Sequence, residues 1–177
     1  MLTIGHSNWP LDEFLGLLTA HGVQLLVDVR SFPQSRHNPQ FNKDRLPEAL
    51  RSAGMDYRHM PGLGGMRKPR ADSTNTGWRN PHFRGYADYM QTPEFERQVQ
   101  ELLKPGAQKS TCIMCAEAVP WRCHRSLIAD ALTARKVPVF HILSPTRAEA
   151  HKLTAFARIE GNTVDYPAET LNLFPDI

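Results

Sequence analysis

Short, almost uninterrupted apolar runs alternate with segments of helical period along most of this chain. The clearest run is "VQLLVDVR" at residues 23–30, and such a run is typical of a parallel strand buried on both faces. "LTIG" at 2–5, "TCIMC" at 111–115 and "VPVFHIL" at 137–143 have the same character, and "MDYRHM" at 55–60 is a shorter candidate. Strands that alternate with helices predict an α/β fold, with a mainly parallel sheet flanked by helices in a Rossmann-like arrangement.

The segments between the runs carry helix signals. Apolar residues from Leu11 to Leu18 recur on one helical face, and Thr92 followed by Pro93 is a good helix start. Further helices are predicted over about 43–52, 84–91 and 123–136, a turn at 105–106, a short helix at about 147–153, and a hairpin that turns at 161–162.

The length of 177 residues favours one hydrophobic core, so we expect a single domain over 1–177. There is no run of 18 apolar residues, and the first residues lack the pattern of a signal peptide, so we expect a soluble cytoplasmic protein with no membrane partner. The three cysteines all lie within 112–123, and an odd number so closely spaced does not suggest a disulfide framework. A reducing compartment is the simpler setting.

Basic residues are concentrated in one region although the net charge is only +3. Eleven Lys or Arg residues and four Asp or Glu residues lie between Arg30 and Arg84, which leaves ten basic and fourteen acidic residues elsewhere. Residues 61–83 within this region have no strand or helix period, and loops of that length are usually lids, binding loops or disordered segments. The region is either a face for phosphates or a solvated stretch that keeps the protein soluble.

Polar side chains follow three of the predicted strands. His6 and Ser7 follow the first, Asp28 and Arg30 end the second, and "CAEAVPWRCHR" at 115–125 follows the fourth. Ligands of parallel sheets bind beyond the carboxyl ends of the strands, where loops and helix N-termini converge. We therefore predict that His6, Asp28, Arg30, Glu117 and Arg125 line one pocket; the alternative is three separate capping loops.

Glu117, Asp28 and His6 are the candidate catalytic residues. Two carboxylates at strand ends could divide acid and nucleophile or base roles, which suits cleavage of a glycosidic bond. Asp28 could instead pair with Arg30 or Arg125, and His6 could simply be a hydrogen-bonded loop residue.

The candidate residues for binding an anion or nucleic acid lie in the same loops and in the basic region. His124 and Arg125 fall at the first turn of a helix, where free N–H groups favour an anion, and arginine matches phosphate geometry. Basic side chains interleaved with aromatics suit phosphate contacts and base stacking. The full set is Ser7, Arg30, Arg36, Trp78, His124 and Arg125.

Thiol or metal chemistry at Cys115, Cys123 and His124 is the remaining alternative. Cys112 and Cys115 have the spacing of half a zinc site, but residues three apart on a strand point to opposite faces, so Cys112 is better placed in the core. No cofactor is predicted. Cys115 is either an activated thiol near an arginine or a helix end, or a small buried hydrophobe.

Several motifs together resemble a known family. "TIGHS", "LVDVRSFPQSRHNPQFN", "YRHMPGLGG", "YADYM" and "MCAEAVPWRCHR" are similar, in order and spacing, to those of the bacterial and archaeal proteins grouped as domain of unknown function 488. The resemblance covers about 3–142 and leaves a C-terminal extension of about 143–177. Some members carry a DNA-repair label, so the resemblance favours nucleic-acid or nucleotide chemistry.

"DVRSFP" also resembles a rhodanese strand end, but the 115–125 loop does not fit the His-Cys-x5-Arg pattern of thiol phosphatases. Met114 precedes Cys115, and Trp121 stands where the arginine should be. The leading hypothesis is therefore an enzyme, a hydrolase or glycosylase, acting on nucleic acid or nucleotides, for example at an N-glycosidic bond of damaged DNA. The alternatives are a nucleic-acid-binding module without catalysis and a thiol- or metal-dependent enzyme. The sequence leaves the substrate and the oligomeric state open.

Overall fold

The computed structural model describes residues 1–168 and has an α/β architecture. Eight strands and five α-helices are found in this part of the chain. The strands are β1 (Leu2–Gly5), β2 (Leu25–Asp28), β3 (Asp56–His59), β4 (Thr111–Cys115), β5 (Phe140–Ser144), β6 (Arg147–Ala150), β7 (Arg158–Glu160) and β8 (Thr163–Asp165), and the helices are α1 (Leu11–Ala20), α2 (Leu46–Ser52), α3 (Pro81–Met90), α4 (Pro93–Gly106) and α5 (Arg125–Ala134). None of these helices is long and apolar enough to span a membrane.

Six strands form one sheet in the order β3-β2-β4-β1-β5-β6, and only β6 in it runs antiparallel to its neighbour. Strands β2 and β4 are buried along their whole length, as their apolar sequences predicted. One hydrophobic cluster contains Ile113 and Cys115 and the other contains Cys112 and Met114, so alternate residues of β4 face opposite layers. The predicted α/β fold with a mainly parallel sheet is confirmed, and Cys112 lies in the core away from Cys115.

The strand register brings the three polar strand ends together. Gly5 at the end of β1 pairs with Cys115 at the end of β4, and Asp28 at the end of β2 pairs with Met114. Beyond the strands, the backbone N–H groups of His6 and Ser7 donate to the carbonyls of Cys115 and Ala116 at 2.9 Å. The loops after β1, β2 and β4 therefore leave the sheet side by side.

Two sequence predictions at element level were wrong. The segment at 147–153 is not a helix, because Arg147–Ala150 pairs with the free edge of β5 as an antiparallel strand; an available sheet edge outweighs the helix propensity of its Ala and Glu residues. Helix α4 also continues through Pro105 and Gly106, where a turn was predicted. The hairpin around 161–162 is confirmed by the pairing of β7 with β8.

The C-terminal extension packs on helix α5 as far as the described residues reach. The buried Asp130 carboxylate accepts hydrogen bonds from Tyr166 Oη at 2.8 Å, from Thr154 Oγ1 at 2.7 Å and from His151 Nε2 at 2.7 Å. Residues 169–177 of that extension lie outside the described part of the chain.

The basic loop between β3 and α3 is held against α3 by Asp88. The Asp88 carboxylate is 2% exposed and accepts hydrogen bonds from the backbone N–H of Arg70 at 2.8 Å, from Ser73 Oγ at 2.6 Å and from Asn75 Nδ2 at 2.8 Å. Burial alone would raise the pKa of Asp88, but these hydrogen bonds outweigh it and lower that pKa. The loop is therefore fixed at its centre.

Replacing Asp88 by Asn should release this loop, because an amide oxygen accepts less strongly than a carboxylate and the amide N–H₂ faces other donors. We expect limited trypsin digestion at neutral pH to cleave Asp88→Asn faster than the unmodified protein after Arg67 and Arg70. Asp72→Asn is the matched control in the same loop, because the Asp72 side chain is 85% exposed and its ion pair with Arg70 is long, at 3.6 Å. Equal cleavage rates for the two variants would contradict the anchoring role.

Candidate active site

A cleft opens where the loops after β1, β2 and β4 meet. It has two adjoining chambers of about 330 Å³ and 480 Å³, and both are lined by Arg30, Phe32, Ala116 and Glu117. The smaller chamber, called the thiol chamber below, also reaches Cys115, Cys123 and His124. The larger, the His6 chamber, reaches His6 and Ser7. These chambers contain most of the predicted site residues.

Asp28 and Arg30 form a closed ion pair behind the cleft wall. Arg30 Nε donates to Asp28 Oδ1 at 2.9 Å, and Arg30 Nη2 donates to Asp28 Oδ2 at 2.6 Å. Asp28 also accepts from the Arg30 backbone N–H at 3.0 Å and from Tyr57 Oη at 2.9 Å. Both carboxylate oxygens are occupied, and the side chain is fully buried. This is the geometry expected if Asp28 pairs with Arg30, and the ion pair holds the Arg30 side chain in position.

His6 extends this network as a neutral imidazole. A carbonyl oxygen can only accept, so Nδ1–H of His6 donates to Ser7 O at 2.8 Å, and Nε2 accepts from Arg30 Nη1 at 3.0 Å. Burial, and then the Arg30 guanidinium, lower the pKa of His6 to about 4. The ring also stacks on Phe41 with centroids 4.3 Å apart. Both nitrogens are therefore committed to the protein.

Ser7 adopts the left-handed backbone conformation, with φ of 46°. This conformation is uncommon for a residue other than glycine, and here it turns the Ser7 carbonyl toward the His6 ring. The Ser7 side chain lines the His6 chamber and donates to Asn8 Oδ1 at 3.2 Å.

Glu117 lines both chambers, but its side chain is exposed and takes part in no ion pair within residues 1–168. Unlike Asp28, this carboxylate is therefore not buried. Its backbone carbonyl, by contrast, is held by Arg125 Nη1 at 3.2 Å.

Arg125 points back under the loop after β4 and is 1% exposed. Its Nη1 donates to Cys115 Sγ at 3.2 Å and its Nη2 donates to Ala118 O at 3.2 Å. Gly5 makes this packing possible, since a Cβ there would overlap the Glu117 carbonyl and approach Arg125 Nη1. The guanidinium predicted to bind an external anion therefore contacts a sulfur atom of the protein itself.

Cys115 and Cys123 form a coupled pair of thiols. Their Sγ atoms are 2.6 Å apart, and the backbone N–H of Arg125 donates to Cys123 Sγ at 3.4 Å. Burial opposes ionisation of Cys115, but the hydrogen bond from Cys123 and the Arg125 charge outweigh it and lower the pKa of Cys115. The hydrogen bond with Cys115 raises the pKa of Cys123. Of the two thiols, Cys115 is therefore the one that ionises more readily.

The metal alternative does not fit this geometry. Within residues 1–168, no group of three or more His, Cys, Asp or Glu side chains is arranged to hold an ion. His124 Nδ1 lies 3.6 Å from Cys123 Sγ, and burial lowers the pKa of His124 to about 4.

Arg125 lines neither chamber, and two further predicted binding residues, Arg36 and Trp78, lie outside the cleft. Arg36 is exposed beside it, in a shallow depression with Gln34 and Asp44. Trp78 is half-buried in an aromatic cluster, where it stacks on Phe83 with centroids 4.7 Å apart, so its ring is not a free stacking platform. That partner, Phe83, lines the thiol chamber.

Sequence reasoning missed the apolar rim of the cleft. Phe32 and Met66 line the thiol chamber and are 76% and 73% exposed. Large apolar side chains in loops of a polar sequence are the signal that could have found them.

The fold and the strand-end cleft define an α/β protein with a buried dithiol and two buried arginines at its candidate site. The chain belongs to the family described as domain of unknown function DUF488, whose model matches residues 10–132. No curated protein matches it.

Two crystal structures of a DUF442 protein from Shewanella putrefaciens CN-32, described provisionally as a phosphatase, are similar at 18% identity, with TM-scores of 0.40 and 0.39. They cover 76% of this chain, which spans 64% and 66% of theirs. A likeness of this extent does not transfer that description.

Asp28 is buried in an ion pair and Glu117 is exposed, so substitutions at the two positions should change the free energy of unfolding by different amounts. Asp28→Asn should lower the free energy of unfolding by about 3–5 kcal/mol, because it leaves the Arg30 charge buried without its partner. Glu117→Gln should change it by less than about 0.5 kcal/mol, since the side chain is exposed. Urea denaturation of both variants provides the measurement; a large loss in Glu117→Gln would assign that carboxylate a structural role that its surroundings do not suggest.

Proposed function

We propose that this protein is a thiol-dependent enzyme in which Cys115 is the nucleophile. One observation carries the proposal: on the wall of the thiol chamber, Cys115 Sγ lies 3.2 Å from Arg125 Nη1 and 2.6 Å from the Cys123 thiol. A thiolate is a far better nucleophile than a thiol, and a neighbouring guanidinium is a recognised means of forming one at neutral pH.

The surroundings of Cys115 support a polar or anionic substrate. Arg30 and Arg122 both line the thiol chamber. The Nε and Nη2 groups of Arg30 donate to Asp28 and to Phe41 O, and one N–H of Nη1 donates to His6 Nε2. The second N–H of Nη1 has no acceptor in the described part of the chain. That group is available for an oxygen of a bound substrate.

The pH dependence of Cys115 alkylation tests the nucleophile. Because Arg125 and Cys123 lower the pKa of Cys115, iodoacetamide should modify Cys115 at neutral pH, and the rate should level off at a lower pH than for an ordinary cysteine. Arg125→Met should raise that pKa, and alkylation at neutral pH should slow by about tenfold if the pKa of Cys115 rises by one. Arg125→Lys should retain part of the effect.

Arg135→Met is the control, since Arg135 lies at the other end of α5 and pairs with Glu96. Peptide mapping of the labelled site measures each rate. A Cys115 that remains unmodified in the folded protein until about pH 9 would refute the proposal.

The nucleic-acid hypothesis remains as a second candidate, supported by the exposed rim of the cleft. Phe32 is 76% exposed beside Arg122, and Arg36 is exposed on the same loop as Phe32, a combination that suits stacking of a base and contact with its phosphate. In this candidate, Glu117 is the carboxylate within reach of an N-glycosidic bond, since the Asp28 oxygens are occupied.

Binding to labelled single-stranded and double-stranded oligonucleotides tests the second candidate. Affinity should fall steeply as salt rises, because phosphate contacts release counterions. Phe32→Ala should weaken binding by about 1–3 kcal/mol if a base stacks there. Phe140→Ala is the control, since Phe140 is 40% exposed at the start of β5, away from the cleft. No binding at low salt would eliminate this candidate.

A further inference from the structure

We infer that Cys123 is a resolving thiol and that the substrates of Cys115 are sulfur electrophiles of the disulfide class. The inference rests on the proposed function, since it takes Cys115 as the nucleophile and adds what that nucleophile attacks. It is carried by the contact between two buried sulfurs on the wall of one chamber.

The two sulfurs are placed for bond formation. Cys115 Sγ and Cys123 Sγ are in direct contact, so an S–S bond can form between them without a rearrangement of the loop. The two residues lie at opposite ends of the same loop. Cys115 is the last residue of β4, and Cys123 comes two residues before α5 begins. A nucleophile that transferred a phosphoryl or glycosyl group would make no use of a second thiol so near.

The first step is thiol–disulfide exchange at Cys115. The Cys115 thiolate attacks one sulfur of a disulfide R–S–S–R, the S–S bond of the substrate breaks, and RS⁻ leaves while Cys115 becomes a mixed disulfide with RS. The electron pair of the broken bond leaves with RS⁻, and Arg125 no longer faces a negative charge.

That loss of charge prepares the second step. The hydrogen bond and the charge of Cys115 both act to raise the pKa of Cys123, and both disappear when Cys115 is a neutral disulfide. The Arg125 guanidinium and the Arg125 backbone N–H, 3.4 Å from Cys123 Sγ, remain and favour the Cys123 thiolate. One buried guanidinium thus serves the two sulfurs in turn.

The second step releases the other half of the substrate. Cys123 gives its proton to the departed RS⁻, and its thiolate attacks Cys115 Sγ, forming the Cys115–Cys123 disulfide and expelling a second RS⁻. Two protein thiols are oxidised and one substrate disulfide is reduced to two thiols, so electrons balance within the reaction. A dithiol reductant is the class of molecule that returns the protein to its starting state.

Cys112 supplies a matched control. It is fully buried in the hydrophobic cluster on the opposite face of β4, and burial raises its pKa. Its substitution should leave the reaction unchanged, whereas each of the other two cysteines has a distinct predicted product.

The test is a single-turnover reaction of the reduced, folded protein with bis(2-hydroxyethyl) disulfide, a small neutral probe, followed by intact-mass measurement under non-reducing conditions. The unmodified protein and Cys112→Ser should each lose the mass of two hydrogens and release two mercaptoethanol molecules per chain. Cys123→Ser should stop at a stable mercaptoethanol adduct on Cys115 and release one. Cys115→Ser should not react.

The outcomes separate this inference from the proposed function. A stable adduct on Cys115 in the unmodified protein, with Cys123 left reduced, would overturn the resolving role and leave the nucleophile intact. The same conclusion follows if iodoacetamide labels Cys115 but the disulfide does not react. Failure of both reagents at Cys115 would overturn both proposals. Cys123→Ala repeats the key variant in case serine disturbs the fold.

Discussion

The buried guanidinium of Arg125 is the constraint on which the candidate site depends. A charge that is 1% exposed must be compensated, yet no carboxylate within residues 1–168 forms an ion pair with it. Its hydrogen-bond partners are the carbonyls of Glu117 and Ala118 and the sulfur of Cys115. Neutral carbonyls orient the group but do not neutralise it, and Cys115 is the one ionisable group among these partners.

The same constraint shapes the loop after β4. Arg125 can hold the Glu117 and Ala118 carbonyls only if that loop crosses the end of β1 closely, and Gly5 is the residue over which it crosses. The glycine in "TIGHS" and the arginine in "CHR" are distant in sequence but adjacent in the structure. Together they fix Cys115 at the wall of the cleft, which the exposed Glu117 also lines.

The two buried arginines have different electrostatic states. Arg30 is neutralised by Asp28 in a bidentate pair and linked to the neutral His6 ring, so that network is complete within the protein. Arg125 has the thiol of Cys115 in place of a carboxylate, and a thiolate formed there would lose its charge on reacting. Chemistry is therefore expected beside Arg125, whereas Arg30 is held in place by its ion pair with Asp28.

The sequence allowed the sheet and the location of the cleft to be predicted, because buried parallel strands have continuous apolar runs and their carboxyl ends converge. It did not allow the roles to be assigned. In the sequence, the polar residues Asp28, Glu117 and Arg125 all appear at or after strand ends and cannot be told apart by position. Their side-chain directions differ in the structure: the Asp28 carboxylate is occupied by hydrogen bonds, the Glu117 carboxylate is exposed, and the Arg125 guanidinium faces a sulfur atom. The helix predicted for this part of the C-terminal extension was wrong for a similar reason. Residues 147–150 form a strand because they pair with β5, and that pairing is a tertiary contact.

The dimensions of the cleft place the two candidate functions at different depths. The thiol chamber holds about 330 Å³, near the lower limit for pockets that enclose small molecules, so a group that reaches Cys115 must be small. Phe32 and Met66 stand at its mouth with most of their surface exposed, where a larger ligand would lie without entering. An extended partner such as an oligonucleotide would therefore contact the rim, and a disulfide or another compact electrophile would contact the sulfur. If an oligonucleotide contacts the rim and a compact electrophile contacts the sulfur, substitutions at Phe32 and at Cys115 should affect separate properties of the protein.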